Sequence, residues 1–209
     1  MIKKIKDWFN HERNKKDNFW IFIGMLVGAL ASLLASFVLS VQAVQLAANP
    51  ETVLSCSINA TVNCVSVALH PTASLFGFPN SFLGMIAEPV VITVAVAGLM
   101  GVVFPRLFMF IAQIVYSLGF IFAYVLLYIS VFTIQVLCPW CLLVTLSTTL
   151  VFFSITRYNI RENNLYLPPK AQKTAKKFID KNYDRLVLFS LLAAVIAFII
   201  FKYGADLFA

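Results

Sequence analysis

Uncharged apolar stretches of membrane-crossing length make up most of the chain, and short polar, basic segments separate them. Residues 1–18 are polar and basic, yet Ile2, Ile5, Trp8 and Phe9 fall near helical spacing, which predicts a short amphipathic cytoplasmic segment at the membrane surface. No charge occurs between Asn18 and Pro50. The run from Phe19 to about Gln45 exceeds the apolar region of a cleaved signal, so it predicts a first transmembrane helix. Residues 50–80 carry Thr, Ser, Asn and three prolines and read as a partly structured loop. Its apolar residues Val67, Leu69, Leu75, Phe76 and Phe78 predict that it folds back onto the bundle.

A second span is expected from Ser81 to about Phe104, interrupted at Glu88-Pro89 and closed by Pro105-Arg106. Leu107 to Thr156 is 50 residues without a charge, about twice what a bilayer of roughly 30 Å needs at about 1.5 Å per residue. Two helices are therefore expected, cut near Gln135 to Pro139: a third span over Leu107–Ile134 and a fourth over Pro139–Thr156. Residues 157–185 form a basic cytoplasmic loop with Pro168-Pro169. Residues 186–209 supply a fifth span, about Leu186 to Tyr203, and a short outer tail. The expected fold is an all-α integral membrane protein: a four-helix transmembrane bundle over residues 19–156 plus a fifth transmembrane helix.

Composition agrees with this pattern. Of 209 residues, 61% are hydrophobic and 12% charged, outside the usage of water-soluble domains. The net charge of +7 does not point to nucleic acid, because of where the cations lie. Of 16 Lys and Arg, six fall in residues 1–18, eight in 157–185, and the others are Arg106 and Lys202. Such clustering sets topology and meets the anionic face of the lipid bilayer. The positive-inside rule puts the N-terminus, Arg106 and residues 157–185 in the cytoplasm of a multi-pass plasma membrane protein. An odd number of crossings then carries both cysteine pairs, Cys56 with Cys64 and Cys138 with Cys141, to the outer face, where disulfides persist.

Cys138-Pro139-Trp140-Cys141 is a redox-type dithiol motif. Proline after the first cysteine starts a helix whose N-terminal N–H groups stabilise a thiolate. The same spacing suits a zinc ligand pair, but the oxidising face and the presence of just two histidines, His11 and His70, argue against a metal site. Four cysteines allow three pairings, and the sequence does not choose among them. A relay needs one mobile, accessible pair, as Cys56 and Cys64 on the loop would be, and one fixed beside an electron acceptor. The rival reading is a non-catalytic membrane transporter or assembly protein with structural disulfides.

The order of a Cys-x7-Cys loop, then Phe-Gly-Phe-Pro-Asn80-Ser81-Phe-Leu-Gly entering a helix, then Cys-Pro-Trp-Cys opening a later one, resembles the vitamin K epoxide reductase family in its bacterial form, over Phe19 to Thr156. The resemblance implies a bundle around a quinone site near the outer face, with menaquinone or ubiquinone as acceptor. It implies Cys141 beside the quinone ring, Cys138 exchanging with Cys64, Cys56 meeting the external thiol, and Asn80 hydrogen-bonding a quinone carbonyl; Asn80 also suits a helix N-cap. His70 stands where many relatives carry a serine of the quinone site. Thr145 replaces the tyrosine of animal members, which argues against vitamin K epoxide as substrate. Many bacterial relatives carry a thioredoxin-like domain after the fifth span; here none is expected, and the expected donor is a separate extracytoplasmic thioredoxin-fold protein. Glu88, an acid within a span, is a candidate proton relay outside the family pattern, with a structural hydrogen bond as its alternative.

Overall fold

The computed structural model describes residues 2–54, 56–57 and 59–207, with side chains described from residue 16 to residue 204. Among these the chain is helical apart from its connections: α1 Ile2–Ala48, α2 Cys64–Ala68, α3 Ser81–Leu99, α4 Arg106–Tyr128, α5 Pro139–Arg161, α6 Pro169–Asp180 and α7 Tyr183–Leu207. Five helical segments are long and apolar enough to cross a membrane: Lys16–Ala48, Ser81–Leu99, Arg106–Ile134, Pro139–Arg161 and Tyr183–Gly204. The fold is thus the expected all-helical, five-span membrane protein.

Element boundaries differ from the sequence reading in ways that backbone chemistry explains. Residues 1–18 and the first span were separated by polarity, but α1 runs without a break from Ile2. No proline or glycine lies between residues 2 and 23 to stop it. The amphipathic pattern of Ile2, Ile5, Trp8 and Phe9 lies outside the described side chains. Pro89 does not interrupt the second span, because α3 continues through it to Leu99; Met100 and Gly101, the latter at φ +89°, then turn the chain. α5 extends beyond Thr156 to Arg161, and the basic segment is largely the helix α6. Of the loop residues expected to fold back, Val67 packs on the cysteine cluster, whereas Leu69, Leu75, Phe76 and Phe78 are exposed. Phe76 and Phe78 nonetheless fold back onto the bundle, meeting the rings of Phe122 on α4 and Phe82 on α3.

The long α1 is the centre of the bundle and packs on both α3 and α5, while α4 packs on α5. Close approach depends on small residues: a Cβ on Gly84 of α3 would lie 2.1 Å from Ser36 Oγ of α1. In lipid such backbone proximity and interhelical hydrogen bonds hold helices together, since apolar surface gains little by leaving an apolar solvent. Between α4 and α5, Asn159 Nδ2 donates to the Met109 carbonyl (3.1 Å) and to Gln113 Oε1 (3.0 Å), and Gln113 Nε2 donates to Thr156 Oγ1 (3.0 Å).

An ionic cluster ties α1, α5 and α7 at the end remote from the cysteines. The buried Arg157 guanidinium donates through Nη1 to both Asp184 oxygens at 2.7 Å and through Nη2 to Asp17 Oδ2 at 3.0 Å. Arg161 and Arg185 also pair with Asp17, at 2.7 and 2.6 Å. All four cysteines lie at the other end of the bundle, Cys56 and Cys64 beyond Ala48 of α1, and Cys138 and Cys141 at the start of α5.

Candidate redox site

Two helix starts and one backbone bridge bring the cysteines together. Asn63 caps α2, its Oδ1 accepting from Ser66 N–H at 3.2 Å, so that Cys64 opens the helix. Cys138 caps α5 with Pro139 in the first turn, as the Cys-Pro motif predicts. Val62 and Leu137 pair as a parallel bridge: Leu137 N–H donates to the Thr61 carbonyl at 2.8 Å, and Asn63 N–H to the Leu137 carbonyl at 3.2 Å. Two residues past one side of the bridge and one past the other, Cys64 Sγ and Cys138 Sγ lie 3.8 Å apart. Cys56 and Cys64 form a disulfide, and Cys138 and Cys141 are free thiols.

The Cys138 thiol is held below its ordinary pKa, first by the hydrogen bond from the Cys141 thiol, then against the opposing effect of burial by the backbone N–H groups of Cys141 and Trp140. Cys141 N–H reaches Cys138 Sγ at 3.3 Å. These are the N-terminal donors that the motif reading invoked. Accessibility departs from that reading. Cys56 is 7% exposed and Cys64 1%; they pack in a cluster with Leu46, Leu54 and Cys138, and Gln42 Oε1 lies 3.5 Å from Cys56 Sγ. The loop pair is sealed rather than accessible, because the apolar residues flanking the disulfide cover it.

Below the cysteines, a largely apolar cavity of about 750 Å³ lies among α1, α3, α4 and α5. Cys64, Cys138 and Cys141 line it, as do Asn80, Glu88 and Thr145. α3 and α4 flank the cavity, and Ile86 and Leu118 on these helices are 70% and 63% exposed, so the space opens sideways toward lipid.

Asn80 stands at the N-cap position of α3 without capping it. Its amide instead braces the preceding 3-10 turn, Pro71–Ser74: Nδ2 donates to the Thr72 carbonyl at 2.7 Å, and Leu75 N–H donates to Oδ1 at 3.2 Å. One Nδ2 hydrogen remains beyond that used by Thr72. His70 is not among the cavity-lining residues. It caps the same turn, with Nδ1 2.8 Å from Thr72 Oγ1. Glu88 is buried at the cavity wall, where Tyr116 Oη donates to its Oε1 at 3.2 Å and Ser32 lies beside it. Sequence reasoning missed Tyr116 and Gln42: an aromatic in a span carries no signal by itself, whereas a polar amide within the apolar first span is a visible one.

Bundle, cavity and cysteine contact define a multi-pass membrane protein that brings a disulfide and a dithiol together beside a pocket open to lipid. The profile of the vitamin K epoxide reductase family matches residues 23–156, and the chain belongs to that family. Membership places it among quinone-coupled thiol oxidoreductases in general. A search of curated proteins returned no match.

Proposed function

We propose that this protein oxidises the thiols of a separate extracytoplasmic thioredoxin-fold partner and passes the electrons through Cys56–Cys64 and then Cys138–Cys141 to a membrane quinone, menaquinone or ubiquinone. The observation that carries this reading is the 3.8 Å contact between Cys64 and Cys138, with Cys141 on the cavity side. Clustering of basic residues at the opposite end supports an outer-face location for both pairs.

The exchange balances as follows. A partner thiolate attacks Cys56, breaking the Cys56–Cys64 bond, and the partner's second thiol resolves the mixed disulfide, leaving oxidised partner with Cys56 and Cys64 reduced. The Cys64 thiolate attacks Cys138 of a Cys138–Cys141 disulfide and releases Cys141. Cys56 then attacks Cys64, which restores Cys56–Cys64 and leaves Cys138 and Cys141 as thiols. That state matches the pairing described above and is the electron-loaded one. A quinone in the cavity supplies a two-electron, two-proton acceptor. As Cys138 and Cys141 reclose their disulfide, Asn80 offers its second N–H to developing negative charge on oxygen. Glu88, held by Tyr116, is the group inside the cavity able to hold or deliver a proton.

Purified full-length protein, given a reduced thioredoxin-fold donor and a short-chain ubiquinone, is expected to bleach the quinone only when donor is present. Cys56→Ala should accumulate a Cys64–Cys138 bond, read by non-reducing mass spectrometry, because Cys64 then lacks its resolving partner. Inert cysteines and no quinone reduction would return the protein to the transporter or assembly reading.

A further inference from the structure

The fifth helix lies outside the matched residues 23–156, yet its outer end touches the segment that places Cys138. α4 passes into a π-helical turn, Ile129–Ile134, and the chain then reverses at Gln135, which has φ +60°. Gln135 and Val136 both donate their N–H groups to the Ser130 carbonyl, and Ser130 Oγ donates to the Val136 carbonyl at 2.7 Å. The Val131 carbonyl is therefore denied the Gln135 N–H that an α-helix would give it. Two side chains of α7 take it instead: Lys202 Nζ donates to it, and Tyr203 Oη donates to it at 3.3 Å.

The contact continues into the cysteine junction. Ile199 and Tyr203 of α7 form one buried cluster with Val131, Val62 and Leu137, and the last two are the bridge that sets Cys64 against Cys138. At its other end α7 is anchored by the Asp184–Arg157 pair. Lys202 is the one Lys or Arg assigned to the outer side, against the trend of the other fifteen. A cation placed there needs a local partner, and the freed carbonyl together with the Phe132 ring at 4.6 Å provides one.

We propose that Lys202 and Tyr203 are positioning residues for thiol–disulfide exchange: by holding the π-turn and the bridge behind it, they set the register of Cys138 against Cys64. The inference rests on the relay reading above. Reactive atoms in van der Waals contact are sensitive to placement, a shift of about 1 Å costing on the order of a hundredfold in rate.

The test uses full-length Cys56→Ala/Cys141→Ala protein, whose remaining thiols are Cys64 and Cys138. Diamide joins them, each thiol losing a proton as the two sulfurs bond and the diazene is reduced to the hydrazine. With Lys202→Met and Tyr203→Phe added, crosslinking should slow by about ten- to a hundredfold, and Lys202→Arg alone should retain the fast rate. A second arm measures quinone reduction by Cys138 and Cys141 in a Cys56→Ala/Cys64→Ala background, where the α7 substitutions should change the rate less than about twofold, within the scatter of neutral contacts. Unaltered crosslinking, or equal slowing in both arms, overturns the positioning role. Failure of quinone reduction in the second arm without α7 substitutions overturns the relay reading, while crosslinking still reports on Lys202 and Tyr203.

Discussion

Replacing Asn80 by alanine removes both the brace that its amide gives the 3-10 turn and the donor proposed for the quinone. The substitution removes the bonds to the Thr72 carbonyl and from Leu75 N–H, at 2.7 and 3.2 Å. Each is worth about 0.5–1.5 kcal/mol, so the 3-10 turn should lose roughly 1–3 kcal/mol of local stability. The same change removes the second Nδ2 hydrogen, the one proposed above to meet the quinone oxygen. Single donors in well-studied oxyanion holes contribute about 2.7–4 kcal/mol, and a site near the membrane surface should lose less, at least a tenfold slowing or about 1.4 kcal/mol. His70→Ala provides the control. It takes the cap off the same turn, where Nδ1 lies 2.8 Å from Thr72 Oγ1, without altering any residue that lines the cavity. Stopped-flow quinone absorbance with excess reduced donor should show at least tenfold slowing for Asn80→Ala and little change for His70→Ala, while hydrogen exchange shows the turn loosened in both variants. Equal slowing by the two variants would make Asn80 a brace only, and no slowing by either would remove this turn from the acceptor site.

Two further outcomes test the electrostatics. In protein carrying the Cys56–Cys64 disulfide, thiolate ultraviolet absorbance should rise with its first midpoint below the ordinary thiol range near about 8.5, and this thiolate should be lost as pH falls through that lowered midpoint; Cys141→Ala, which removes the largest stabilising contact on Cys138, should move the midpoint up, and an unmoved midpoint refutes the assignment. Arg157→Met should destabilise the bundle by less than the cost of breaking a fully buried pair, about 3–5 kcal/mol, because it leaves the part-buried Asp184 without its Arg157 partner while Asp17 keeps Arg161 and Arg185; a detergent melting curve unchanged from wild type would show that the pair contributes nothing to stability.

Span number, the separation of Leu107 to Thr156 into two helices and the start of α5 were legible because each depends on local pattern: hydropathy, charge and a Cys-Pro step. The unbroken α1 was not, since polarity in residues 1–18 marks an environment and leaves the helix free to continue. At the site, the cysteine motifs announced thiol chemistry, but the accessible loop pair expected from sequence is buried by Leu54 of the loop and by Leu46 at the end of α1, a packing that no local pattern encodes. Glu88 stood out as an acid within a span, whereas its partner Tyr116 sits 28 residues away on another helix. Lys202 was visible as an outlying cation, but the carbonyl it binds exists as an unpaired acceptor only because of the π-turn at Ile129–Ile134.

The sealed Cys56–Cys64 bond has a consequence for selectivity. An oxidant fed by the membrane quinone pool would react with any small thiol that reached its first disulfide, and the cell would lose both the thiol and the quinone in a short circuit. With Cys56 only 7% exposed, collision is not enough, and a thiol must arrive on a surface able to pry the loop from Leu46 and Leu54. In the proposed relay, discrimination between a folded client and free small-molecule thiols is set by the cost of opening the loop, and the oxidising power of the Cys56–Cys64 disulfide stays insulated until a client docks.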